Sequence, residues 1–222
     1  GIPLRVIDAL IAAANDGRTP LVRQYGGVGT GDITALAELA LCLLGERPWR
    51  DGDTHRYLDE MDAGSALAFM SSSAPTLAVA ALAAVELRSV ARASVRVAAL
   101  SLAAVRANPQ HWSSVAEHTR PSSGVSAACA ALRAVLDGST WTSSRTQDPL
   151  SFRCAPHVGG PMWEAADELV AEVERCIDSP VENPRFAEGE VWHHGAFMLT
   201  SLSLRLDMAR LAMMQWLSCT TR

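Results

Sequence analysis

Residues 75–106 read PTLAVAALAAVELRSVARASVRVAALSLAAVR, about thirty residues of alanine, valine and leucine interrupted by Glu86, Arg88, Arg92 and Arg96. Nothing in the run alternates with the period of a strand, and the pattern is helical after Pro75. Asn108-Pro109 ends it. Outward from this helix the same period recurs. Leu4, Ile7, Leu10, Ile11 and Ala14 mark a helix closed by Asn15-Asp16-Gly17. Asp32 can cap another through about Leu44, closed by Gly45. Further helices are expected from about Ser122 to Leu136, from Pro161 to about Ile177, and from about Ala196 to Trp216. With no paired strand signals, the fold class is all-α: a long-helix bundle whose alanine-rich faces imply close interhelical packing.

A polar connector with Pro48, Trp49 and Gly52 runs to about Asp62 and is expected to be the most mobile part. The stretch from Ala63 to Val85 carries no charge and is long enough to span a bilayer on count alone. It is mostly alanine and is interrupted by Ser71-Ser72-Ser73-Ala74-Pro75, a helix break and cap. It therefore reads as buried core, and no membrane partner is expected.

The 222 residues fit a single helical domain over 1–222. All 19 basic side chains other than histidine are arginine. Without lysine there is no Schiff base, no lysine-anchored pyridoxal group, no P-loop clamp and no lysine general base. A net charge of −5 with scattered arginines leaves no electrostatic footprint for nucleic acid. Five cysteines, widely spaced and without a CxxC pair, in a chain with no signal peptide at Gly1, read as reduced and cytoplasmic.

Three loops carry chemistry. Gln147 to His157 combines an Asp148-Pro149 turn with Arg153, whose guanidinium offers a rigid fork of donors that matches a carboxylate; the same residues would also serve a plain turn with one solvated arginine. Gly26 to Asp32 precedes a helix and could present amides to an anion, although no strand precedes it as a nucleotide loop requires. Glu182-Asn183-Pro184-Arg185-Phe186 is by itself a turn between helices. His193-His194 would face different sides of a helix start, and with no HExxH or spaced Cys/His set no metal site is expected. No GxSxG elbow supports a serine triad.

Taken in order, these loops resemble the aromatic amino acid ammonia-lyase family. The likeness rests on Gly27 to Ala37 (family GSVGASGDLAPLA), Gln147 to Pro156 (QDPYSLRCAPQ), Glu182-Asn183-Pro184 (TDNP), and Gly189-Glu190-Val191 followed by Phe197 (GEVLSGGNFHG). It covers nearly the whole chain and implies the helical core of those enzymes. By residue-wise carry-over, Arg153 is the carboxylate-binding arginine, and Gln147, Asn183 and Phe197 complete a substrate-binding set. Family members build a methylidene-imidazolone electrophile from an internal Ala-Ser-Gly. Here the segment is one residue short and offers Gly29-Thr30-Gly31, so no such prosthetic group is expected. Thr30 stands at or beside the serine position. Leu150, His157, Ala196 and Met198 depart from the family pattern, and Phe69-Met70-Ser71 stands where the family has an active-site asparagine. The family's N-terminal segment with its tyrosine loop and its C-terminal helices would lie before Gly1 and after Arg222.

Three readings follow from the resemblance. The leading one is a divergent lyase-like enzyme subunit acting on an amino-acid-like or aromatic carboxylate by elimination, addition or cyclisation. It would use Arg153 to bind and His157 as acid or base, since imidazole is the side chain that exchanges protons near neutrality. The second is a catalytically inactive scaffold or partner subunit. The third is an ammonia-lyase whose prosthetic group is altered at Thr30. Apolar helix faces around Leu204, Leu206, Met208, Leu211, Met213 and Met214 imply a homo-oligomer or a complex with a companion subunit.

Overall fold

The computed structural model describes Gly1–Arg23 and Tyr25–Thr221. The described residues are mostly helical, as the apolar period requires, and divide into two compact units. One comprises Gly1–Val79 and Pro180–Phe197, the other Ala80–Ser179 and Met198–Arg222.

In the first unit, α1 (Leu4–Asn15) and α2 (Ile33–Leu43) close where the sequence places their ends. Their core combines Val6, Ala9 and Ala13 with Leu36, Ala40 and Leu43, and adds Trp49, Leu58 and Phe69 from the segment that follows. The connector expected to be mobile is therefore pinned. Trp49 is buried and donates its indole N–H to the carbonyl of His55 at 2.9 Å, and Arg18 pairs with Asp51 at 2.7 Å. Composition marks it polar, but one large apolar side chain with a satisfied N–H outweighs that polarity.

The uncharged stretch 63–85 is not one helix. It breaks at Ser71–Ser73 into α3 (Ala63–Met70) and α4 (Ala74–Ala104), and Ser72 Oγ accepts the Ala74 amide at 3.1 Å. Nor is α4 buried core throughout. Its buried residues, Ala80, Ala84, Leu87, Ala91, Val95, Ala99 and Leu102, fall at steps of three and four and form one stripe. Val79, Leu82, Val97 and Leu100 on the other side are exposed. The span Ala63–Ala104 is long and apolar enough to cross a membrane by length and composition only, and 17% of its most apolar window is buried.

In the second unit, a 3-10 turn (Pro109–Trp112) and α5 (Ser114–Thr119) lead to α6 (Ser123–Val135) and α7 (Leu150–Asp178). Pro161 does not start α7, because the helix already runs through both Pro156 and Pro161. Each proline removes a donor from the backbone ladder, an unfavourable interior choice by about 3 kcal/mol. Burial offsets it: Ala155, Pro156, Gly159, Gly160 and Met162 are all packed inside. The last helix, α8 (Thr200–Thr220), begins four residues later than its periodicity indicates, so His193-His194 precede it in a loop.

The segment 182–186, a bare turn by its sequence, instead enters a two-stranded antiparallel hairpin, β1 (Arg185–Ala187) with β2 (Glu190–Trp192). Its two-residue loop, Glu188-Gly189, has φ of 54° and 80°, the left-handed pair whose twist suits a tight hairpin.

Candidate functional site

In the second unit, Gln147, Arg153 and His157 come together around the N-terminal end of α7. Pro149 takes the N-cap position, and its carbonyl accepts the amides of Phe152 and Arg153, each at 3.1 Å. The segment from Leu150 to His157, expected as part of a loop between helices, thus forms the first two turns of the helix. Helical geometry places Arg153 and His157 four residues apart on one face, about 6 Å along the axis. Arg153 Nη1 donates to Gln147 Oε1. That bond occupies one of five guanidinium donors and leaves the Nε–Nη2 edge for a carboxylate. Both Arg153 and His157 are half-buried, reachable by a small ligand and partly shielded from water.

The residue beside Gln147 in the motif, Asp148, does more than a turn requires. Its side chain is fully buried, and Oδ2 accepts the Asn108 amide at 2.6 Å and lies 3.1 Å from His111 Nε2. Arg145 Nη1 stands 3.5 Å from Oδ1. Asn108 also donates its side-chain amide to the carbonyl of Thr146 at 3.0 Å. The signal available in sequence is only Asn108-Pro109 and Asp148-Pro149, two punctuation marks whose pairing needs the fold.

In the first unit, Thr30 and its flanking glycines lie in an exposed loop, with Gly29 at φ 84° and Gly31 at φ 66°. A β-carbon on Gly31 would stand 3.4 Å from the Ser72 carbonyl. Asp32 sits at the N-cap position of α2 but makes no side-chain bond there. Its carboxylate reaches instead to the first turn of α4, accepting the Thr76 amide at 2.8 Å and the Thr76 hydroxyl at 2.7 Å, while its own amide donates to the Ser72 carbonyl at 2.9 Å. Asn183 spends its carbonyl oxygen on the His194 amide at 2.8 Å, just outside the hairpin ends. Phe197 is exposed. No cluster of metal-ligating side chains occurs among the described residues.

A mostly helical chain whose Gln147–Pro156 segment holds an arginine at the head of a long helix defines the class. The family model for aromatic amino acid lyases matches residues 1–222, and the chain belongs to that family. It is 30% identical to histidine ammonia-lyase of Streptomyces avermitilis, an alignment covering 96% of this chain and 45% of that protein. Against probable histidine ammonia-lyase of Halobacterium salinarum the identity is 28%, covering 86% of this chain and 39% of the other. The chain thus spans less than half the length of the curated relatives it matches. Its fold is similar to that of histidine ammonia-lyase from Trypanosoma cruzi, with a TM-score of 0.85 at 24% identity over 98% of this chain and 44% of that one. It is also similar to ergothionase from Treponema denticola, with a TM-score of 0.86 at 22% identity over 98% and 47%.

Proposed function

We propose that this chain is a divergent subunit of an aromatic amino acid lyase-like enzyme. It binds an amino-acid-like or aromatic carboxylate through Arg153 and works without the methylidene-imidazolone electrophile. The observation that carries the reading is the Gln147–Arg153 hydrogen bond, with His157 one turn further along the same helix face. Gln147 fixes the guanidinium plane, which lowers the entropy lost when a carboxylate docks on the free edge. His157 then lies one helical turn from the bound carboxylate, placed to take up or deliver the proton on the neighbouring carbon.

The electrophile does not fit the residues present. Its formation requires loss of a serine hydroxyl, and Gly26 to Asp32 contains no serine. Dehydration of Thr30 would leave a methyl on the exocyclic carbon and crowd the position a substrate must approach. The loop is exposed from Tyr25 to Gly31, which leaves a reactive electrophile open to water.

A second reading, a non-catalytic assembly subunit, draws on one observation. Leu204, Met208 and Leu211 form an exposed stripe at helical spacing on α8, while Leu206 and Met213, neighbours in the sequence, are half-buried. Such stripes mark helix–helix contacts, here with a second copy or a companion subunit.

The test is binding and turnover of L-histidine and cinnamate by the full-length protein, wild type against Arg153→Ala and His157→Ala, with intact-mass measurement. The enzyme reading expects an unmodified mass, weaker carboxylate binding in Arg153→Ala, and lost turnover in His157→Ala. A mass short by two waters over residues 29–31 overturns the absence of the electrophile. Binding unaffected by Arg153→Ala, with no turnover, leaves the assembly reading.

A further inference from the structure

Asp148 is the most deeply buried carboxylate of the second unit that the proposed chemistry does not use. Its side chain is 0% exposed, and the imidazole beside it, His111, is 8% exposed. A carboxylate removed from water is retained only where donors replace its hydration. At Oδ2 the replacements come from one short stretch, while Oδ1 makes no hydrogen bond among the described residues and has the Arg145 guanidinium 3.5 Å away. Asn108 caps the 3-10 turn Pro109–Trp112 that follows α4, His111 lies within it, and both reach Asp148 Oδ2.

His111 meets Asp148 twice. Nε2 lies 3.1 Å from Oδ2 and 3.3 Å from the Asp148 amide nitrogen. When Nε2 carries a proton it donates to the carboxylate, and when it does not it accepts the amide N–H. One ring atom therefore holds the residue immediately after Gln147 in either form of the ring, by its side chain when Nε2 carries the proton and by its main chain when it does not. The segment is braced on its other side by Asn108 Nδ2 to the Thr146 carbonyl at 3.0 Å, and by Arg145 Nη1 to the Val105 carbonyl at 3.2 Å. Gln147 is thus anchored on both flanks, and Gln147 is the residue that holds the Arg153 guanidinium.

We propose that His111 is a positioning residue for the carboxylate site: through Asp148 it fixes the main chain at Gln147, which sets the plane of Arg153. The inference rests on the reading of Arg153 as the carboxylate-binding group. Its reach is specific, because the hydrogen-bonded route from the ring to Arg153 runs through Asp148 and Gln147. Loss of His111 therefore acts on the charged end of a ligand and not on its hydrophobic body.

The experiment compares cinnamate with the neutral cinnamamide as probes of the full-length protein, and reads amide hydrogen exchange in parallel. In His111→Ala, cinnamate binding is expected to weaken roughly tenfold, the order found when one link of a hydrogen-bonded chain is cut. Cinnamamide binding is expected to stay unchanged, and exchange to rise over residues 145–149 but not over 162–173. His111→Gln, which keeps a side-chain N–H able to reach Asp148, is expected to restore cinnamate binding and guards against a variant that fails to fold. In the double variant with Arg153→Ala, the His111 effect on cinnamate is expected to vanish. Equal loss of both probes, or unchanged exchange at 145–149, overturns the positioning role. If Arg153→Ala leaves cinnamate binding intact while exchange at 145–149 still rises in His111→Ala, the reading of Arg153 fails and the brace itself stands.

Discussion

Gly124 of α6 and Gly160 of α7 meet backbone to backbone. A β-carbon built on Gly124 would fall 2.0 Å from the Gly160 carbonyl oxygen, and one on Gly160 would fall 2.6 Å from the Val125 amide nitrogen. The obstructing atoms belong to the main chain of two packed helices and cannot swing aside. This crossing holds α7 in place below the turn that carries Gln147, so the geometry of the proposed site depends on two hydrogen atoms where any other residue would bring a carbon.

Gly124→Ala and Gly160→Ala are therefore expected to destabilise the protein by about 3 kcal/mol or more, at the upper end for overpacking in a close-packed interior. Gly27→Ala is the control, since a β-carbon there meets nothing within 4 Å. Urea denaturation followed by circular dichroism checks this, and equal midpoints for Gly124→Ala and Gly27→Ala would refute it.

The Asp32–Thr76 contact makes a different forecast. A carboxylate at the first turn of α4 satisfies an amide that the helix itself cannot, and it sits at the positive end of the helix dipole. Asp32→Ala is expected to cost about 1 kcal/mol, the usual value of a lost helix cap. Hydrogen exchange should localise the effect to Ala74–Leu77, with α2 unaffected because Asp32 makes no side-chain bond to it.

That contact also marks where local sequence patterns stop being informative. The period of apolar residues locates α1, α2, α4 and α6 to within a residue or two, because burial on one face is written directly into spacing. It places Asp32 correctly at a helix start but points its carboxylate at the wrong helix, since a partner 44 residues away leaves no local trace. The start of α7 is hidden for the converse reason. Pro161 obeys the local rule for a helix beginning, and only the packing of Gly159 and Gly160 against Trp216 and Gly124 explains why the helix runs through it. Arg153 and Gln147 are legible as a motif, whereas the buried brace of Asn108, His111 and Asp148 is not.

Acidification should loosen the α7–α8 pairing through Glu172. Its carboxylate accepts from the Ser201 hydroxyl of α8 and from Arg175, and these bonds hold its pKa below the ordinary glutamate value of about 4.3. A depressed folded-state pKa contributes stability that is fully present above the unfolded value and is lost as pH falls through the folded one. Stability is thus expected to decline from just above pH 4 downward, and Glu172→Gln should flatten that part of the profile while lowering stability at pH 7. Denaturation midpoints at pH 3, 4, 5 and 7 decide it; parallel profiles for the two proteins would count against the assignment.

The outer face of α8 supplies the last forecast. Leu204, Met208 and Leu211 are 65%, 53% and 56% exposed, and their spacing of four and three places them in one row. The opposite face is already used, with Leu202, Ala209, Ala212 and Trp216 buried, so the row is not a misassigned core. Water-facing leucine and methionine in series gain roughly 25 cal/mol per Å² when covered, which favours association of copies over isolation. Light scattering of the full-length protein is expected to give more than one copy per particle. Leu204→Glu with Leu211→Glu should reduce the mass toward a single chain while leaving the helical circular dichroism signal intact. A wild-type monomer, or an assembly indifferent to both charges, would remove α8 from the interface and with it the observation that favours the assembly reading.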